Sequence, residues 1–228
     1  GFSDASATVD QVGATGVVTY DTQGAFYVTN AEGTNSQSVT ISMDKTFDNG
    51  IDVFASYTNL DAESGWVATS SQLSSNLEYM PRVDLMNVGV GKTPWAIEDR
   101  IVAGLNYTAN WFPNSPTKFS LFYKAYSGKR FSYVFDGIDD GYDDGNTLLY
   151  IPTLNDPNVV YSGVTEAEVL SVVQGIGTPG SHVAANSGQV PWTRSLDLRI
   201  SQEIPMPVLD HKLFVYFDVL NVLNLINE

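Results

Sequence analysis

The chain has no cysteine, which excludes disulfide bonds and thiolate metal sites and removes the simplest redox chemistry. No run approaches the roughly 20 apolar residues of a membrane helix, although 43% of the residues are hydrophobic. Any membrane contact is therefore left to a barrel or a surface helix. Basic residues are scarce: 11 Lys and Arg stand against 26 Asp and Glu, a formal charge of −15. Phosphate backbones call for clustered Lys and Arg, so no nucleic acid partner is expected. Histidine is scarce as well. His182 and His211 are far apart and lack Cys or carboxylate neighbours at metal-site spacing. His211 reads as a surface residue beside a turn. There is no Gly-x-Ser-x-Gly elbow, His-Glu-x-x-His pair or phosphate loop. The Glu166 and Glu168 pair fits helix capping better than acid–base catalysis. An enzyme is not expected.

What the chain has in abundance is period-two alternation, the pattern of a strand with one face in oil and one in water. Leu196, Leu198, Ile200 and Ile204 alternate with Ser195, Asp197, Arg199, Ser201 and Glu203. After a short Pro-containing turn, Leu213, Val215, Phe217 and Val219 alternate with Lys212, Phe214, Tyr216 and Asp218. The same pattern predicts strands over 38–47, 50–60, 100–111 and 117–126. These six segments are expected to be antiparallel neighbours in one sheet with a continuous apolar band. Asp48-Asn49-Gly50 predicts a two-residue hairpin turn built on Asn-Gly. Val17–Tyr20 and Ala25–Thr29 read as a further hairpin, and 62–82 as a long Ser-rich loop. Tyr107, Trp111, Tyr123 and Tyr126 lie near strand ends, where interfacial girdles would place them.

Residues 128–191 differ, being rich in Gly, Asp, Pro and Asn. Thr165-Glu166-Ala167-Glu168 fits a capping box, Val169, Leu170, Val172 and Val173 supply an apolar stripe, and Gly175 supplies a stop. One short helix over 165–175 is expected. Asp136, Asp139, Asp140, Asp143 and Asp144 are interleaved with glycines. Hard cations take such carboxylates on flexible loops, so calcium is the candidate ligand, although the EF-hand spacing is absent. The competing reading is a solvated acidic loop. Long segments at 62–98 and 128–191 alternate with short connections near Asn49, Pro113 and Pro205. A transmembrane β-barrel with long extracellular loops and short periplasmic turns has this rhythm. Arg199 and Asp197 are then lumen-lining residues able to pair across strands.

Five segments in series, over about 190 residues, carry a resemblance. They are Asn35-Ser36-Gln37-Ser38 leading to Lys45-Thr46-Phe47-Asp48-Asn49-Gly50; Tyr126-Ser127-Gly128; Asn146-Thr147-Leu148-Leu149-Tyr150-Ile151-Pro152; Pro191-Trp192 with Leu196-Asp197-Leu198-Arg199-Ile200-Ser201-Gln202; and Asp218-Val219-Leu220-Asn221-Val222-Leu223-Asn224. In order and spacing the chain resembles the carboxy-terminal part of the barrel of TonB-dependent outer-membrane receptors, of the Oar-like type with a carboxypeptidase-regulatory-like amino-terminal domain. The resemblance implies an all-β fold: an antiparallel transmembrane β-barrel of about 22 strands around a plug. It implies residence in the Gram-negative outer membrane and energised uptake of a scarce large solute. The implied partners are the lipid bilayer, the remaining strands and plug, and TonB through that plug. The whole of 1–228 would be part of one barrel domain, with 128–191 an extracellular loop region. Plug, TonB box and leader are not recognisable, and about eight to ten strands fit the length, so a barrel fragment is expected. The alternative is a secreted all-β structural or adhesive protein that assembles through its sheet edges.

Overall fold

The computed structural model describes residues 2–5, 25–28, 33–65, 70–72, 75–76, 79–83, 90–135, 146–206 and 211–225, the first two segments by backbone alone. In chain order the elements are β1 (Phe2–Ala5), β2 (Ala25–Val28), β3 (Asn35–Thr46), β4 (Ile51–Ser64), β5 (Gly91–Lys92), β6 (Asp99–Ala109), β7 (Thr117–Tyr126), β8 (Arg130–Phe131) and β9 (Tyr150–Ile151). There follow helix α1 (Glu166–Val173), β10 (Ser181–His182), β11 (Gly188–Gln189), β12 (Thr193–Met206), β13 (His211–Val219) and a 3-10 turn, Val222–Leu225. The class is all-β. The chain divides into two compact units, one holding 37–61, 97–128 and 190–228, the other 1–36, 62–96 and 129–189.

The first unit is a sheet. Its strand order is β13-β12-β7-β6-β4-β3, every described pairing antiparallel. All six strands that alternation predicts are present and share this sheet, as expected. It is open: among the described residues β3 and β13 are edges, and no closed barrel forms. The short connections 47–50, 110–116 and 207–210 lie at one end of the strands. The long segments 65–98 and 127–192 leave from the other, because antiparallel strands alternate direction.

Two local expectations change. The first hairpin is not a two-residue Asn-Gly turn. Phe47 N–H donates to the Ile51 carbonyl at 2.8 Å, enclosing three loop residues, and Gly50 alone has positive φ, +82°. A three-residue loop needs the left-handed conformation only at its last position, which Gly supplies. The Thr108 carbonyl oxygen would lie 2.6 Å from a Cβ on Gly50, a second reason for glycine there. In addition β4 runs on to Ser64, into the segment read as loop, because Glu63 and Ser64 pair with Lys92 and Gly91. The described partner of Ala25–Val28 is Phe2–Ala5; residues 17–20 lie outside the described residues.

The second unit has the conventional core. Leu148, Ile151, Val173, Val183 and Ala185 are buried together. The short pairs β8–β11 and β9–β10 hold the strand segments there. Helix α1 sends Val173 into this core and is capped as its sequence predicts. Glu168 N–H donates to Thr165 Oγ1 at 3.3 Å, and Thr165 N–H donates back to Glu168 Oε2 at 2.8 Å. Each bond satisfies a backbone donor that the first turn would leave orphaned. Thr165→Ala removes one of them and is expected to weaken the helix by about 1 kcal/mol. Amide exchange at Val169 and Leu170 should accelerate; unchanged exchange would show that packing of Val173 alone holds the helix.

Candidate functional site

Residues directly opposite in an antiparallel pair project to the same side of the sheet. The register therefore sorts the faces. Val53, Leu105, Leu121, Leu198 and Val219 form one row across five strands. Ile51, Tyr107, Phe119, Ile200 and Phe217 form the next row toward the short connections. Ala55, Ala103, Tyr123 and Leu196 form the next row the other way. Val39, Ile41 and Met43 continue the face by alternation on β3. Lys45 and His211 bound it at the short-connection ends, and Asp99 and Arg194 at the long ones. Among the described residues within those bounds it carries no acid and no base. Polar groups on it find partners: Thr117 Oγ1 donates to Gln202 Oε1 at 2.5 Å, Gln202 Nε2 donates to the Ser115 carbonyl at 3.0 Å, and at the long-connection border Tyr57 Oη donates to Asp99 Oδ1 at 2.6 Å.

Within the sheet unit no second layer of described residues covers this face. Ile41 is 70% exposed, Val215 53% and Phe217 64%. Among the described residues of the sheet unit, Ala109 and Ala125 alone are buried apolar residues; both are small, and Ala125 has a strand on either side. A sheet in water hides its apolar side against a second layer. The six strands here, of nine to 14 residues, reach the roughly 9–11 residues that a tilted strand needs to cross a hydrocarbon core.

Aromatic rings mark the ends of the apolar field. Tyr107 stacks on Phe119 with centroids 6.3 Å apart, Trp111 meets Phe119 edge-on at 5.7 Å, and the Lys45 ammonium lies 5.8 Å from the Phe47 ring. Tyr126 does not belong to this set. It pairs with Arg100 and Thr193 and so projects to the polar side. Trp192, one step before β12, takes a place that proximity to strand ends alone had not assigned.

The opposite face is polar. Arg199 sits directly across from Asp218 and grips it with two bonds, Nε to Oδ1 at 2.6 Å and Nη2 to Oδ2 at 2.7 Å, with the Tyr216 ring 5.0 Å away. Lys212 pairs with Glu203. Arg199 thus pairs across strands, though with Asp218; Asp197 instead accepts the Asn221 backbone N–H at 2.8 Å and the Ser195 hydroxyl at 3.0 Å. Besides Phe214, opposite Glu203, an apolar patch interrupts this face on β4, β6 and β7. The Phe54 ring lies over Gly104, where an added Cβ would be 2.1 Å from Cε1, and it meets Phe122 at 6.3 Å.

The calcium candidates Asp136, Asp139, Asp140, Asp143 and Asp144 lie outside the described residues. Of the histidines, His182 packs edge-on against Tyr150 at 5.3 Å, and His211 is exposed at the start of β13. Glu166 accepts the Asn155 backbone N–H at 2.6 Å, which ties α1 to the preceding loop. A cleft of about 520 Å³ beside α1, lined by Ile151, Leu154, Leu170 and Val173 among others, has no charged residue in its walls.

One carboxylate organises the loop between β9 and α1. Asp156 is buried, 6% exposed, and was not singled out by any sequence motif. It accepts from Thr153 N at 3.0 Å, Thr153 Oγ1 at 3.2 Å, Tyr150 Oη at 2.9 Å and Asn158 N at 3.0 Å. The backbone N–H groups of Thr153 and Asn158 favour the charged form first of all, holding its pKa at about 2. A depressed carboxylate contributes stability that is complete above the unfolded value near 3.9 and is lost as pH falls through the folded one. Amide exchange at Thr153 and Asn158 should therefore accelerate between about pH 4 and about pH 2, and Asp156→Asn should abolish that pH dependence. Exchange that stays flat across this window would remove Asp156 as the organiser. The signal for it in the sequence, an Asp-Pro-Asn after Thr-Leu-Asn, is common to many turns.

No protein-family model, curated protein or solved structure matches the chain.

Proposed function

We propose that this chain is a run of strands from the β-barrel of a TonB-dependent receptor, seated in the outer membrane and serving the uptake of a large solute. The observation that carries the reading is the apolar face itself: one field across six strands, free of acids and bases among the described residues, bounded by aromatic rings and without a second layer in its own unit. Lipid satisfies such a face, and water does not. The polar face, with its Arg199–Asp218 and Lys212–Glu203 pairs, then borders the lumen. Short connections at one end and long segments at the other agree with periplasmic turns and outward loops. Solute uptake and the link to TonB come with the family resemblance, and the plug and remaining strands are its partners.

The edges β3 and β13 favour a second reading, a secreted protein that polymerises strand to strand. Detergent separates the two. A lipid-facing fragment with two open edges is expected to be insoluble in buffer, because its apolar face and its unpaired backbone groups both need partners. It should disperse, with strand-type circular dichroism, in octylglucoside or with the rest of the barrel. Fibres or a soluble monomer that melts cooperatively without detergent would exclude the barrel reading. On intact cells, protease cleavage within 128–191 is expected; cleavage only after the envelope is opened would reverse the orientation.

A further inference from the structure

At the long-connection end of β12 the apolar face gives way to an open cleft of about 740 Å³, lined by Tyr123, Pro191, Trp192, Arg194, Leu223 and Asn224. Tyr123 is opposite Leu196 and so belongs to the apolar face, and Arg194, opposite the buried Ala125, continues the same alternation. Trp192, 40% exposed, precedes it by one step of that alternation. Arg194 is exposed, and among the described residues its guanidinium meets no acid and no hydrogen-bond acceptor. That is unexpected in a chain with 26 acids and 11 bases. Two Tyr and Trp rings and one free fork of N–H donors thus meet at the border of a charge-free apolar field. Guanidinium matches a phosphate with paired donors, and Tyr and Trp suit the layer between hydrocarbon and water.

We propose that this cleft holds the phosphate of an anionic membrane lipid. Arg194 takes the phosphate, Tyr123 and Trp192 flank the glycerol or sugar level, and the acyl chains follow Leu196, Leu198 and their row-mates down the apolar face. The occupant is a lipid and not a free anion, because the cleft opens onto the face that the barrel reading assigns to hydrocarbon. The inference rests on that reading. Charge complementarity sets the sign: the cleft has one cation and no acid.

The test places the full chain in dodecylmaltoside micelles doped with either phosphatidylglycerol or phosphatidylcholine and counts retained lipid by native mass spectrometry. One interfacial arginine should give a preference of about fivefold for the anionic lipid. Arg194→Gln should remove that preference. Arg194→Lys should keep most of it, since the charge remains and only the planar fork is lost. Lys45→Gln, at the other end of the face, should leave it unchanged. Equal retention of the two lipids by the unaltered chain, or full preference in Arg194→Gln, would overturn the proposal. So would loss of the preference on adding inorganic phosphate alone, which would make this a free-anion site. A chain that disperses without detergent fails at the barrel reading itself. A chain that needs detergent yet shows no preference fails only here.

Discussion

Leu198→Arg is expected to destabilise the sheet in a bilayer or micelle by about 2–4 kcal/mol, the cost of an Arg on a lipid-facing position near the midplane. Leu198 lies between Leu121 and Val219 in the aliphatic row, farthest from both aromatic borders. A guanidinium there has no acid on its own face to meet, and it is a long reach from either interface. Ser201→Arg is the control. Ser201 is on the other face, between Lys118 and Tyr216, and an added charge there stays in water. Its expected cost is within about 0.5 kcal/mol. Urea titration of the chain in phosphatidylcholine vesicles compares the two. Tolerance at Leu198 with failure at Ser201 would mean that the faces are assigned the wrong way round.

Gly128→Ala is expected to be the costliest conservative change in the sheet unit. A Cβ on Gly128 would lie 2.0 Å from the Val190 carbonyl oxygen and 2.6 Å from that of Pro191. Both obstacles are backbone just ahead of β12, so neither can rotate aside as a side-chain tip would. The chain at Ser127 is also pinned, its N–H donating to the Asp99 carbonyl at 2.9 Å and its hydroxyl accepting the Asp99 N–H at 3.1 Å. The loss should reach the upper part of the overpacking range, about 3 kcal/mol. Gly163→Ala separates this from ordinary glycine strain. Gly163 has φ of +74° but nothing within 4 Å of an added Cβ, so only the left-handed cost of about 1 kcal/mol applies. Equal midpoints for the two variants would show that the close approach at Gly128 does not exist in solution.

The strands were legible because alternation is local. Val39, Ile41 and Met43, or Leu198 and Ile200, declare a face within ten residues, and a sheet needs no more than that to segregate oil from water. The capping box at Thr165 was legible for the same reason: its donors and acceptors are three residues apart. Alternation along β7 puts Tyr126 on the other face from Tyr123 and Ala125, as its pairing with Arg100 bears out; grouping it with the girdle aromatics fails because nearness to a strand end says nothing of parity. The turn at Asp48-Asn49-Gly50 was assigned one residue too short, since Asn-Gly is compatible with more than one loop length and the Phe47–Ile51 pair chooses among them.

By itself, then, the sequence determined the six long strands of the sheet, which side of each is apolar, where one helix starts and that no thiol chemistry operates; the two-residue strands of the other unit appear only in the structure. Each of these depends on neighbours along the chain. Tertiary structure alone decided the residue-by-residue register of β12 on β7 across 127–192, that Gly128 must lack a side chain, that Asp156 gathers four donors and that Arg194, beside Trp192 and Tyr123, meets no partner among the described residues. Those are contacts between groups brought together by loop closure, and no spacing of residue types encodes their distances.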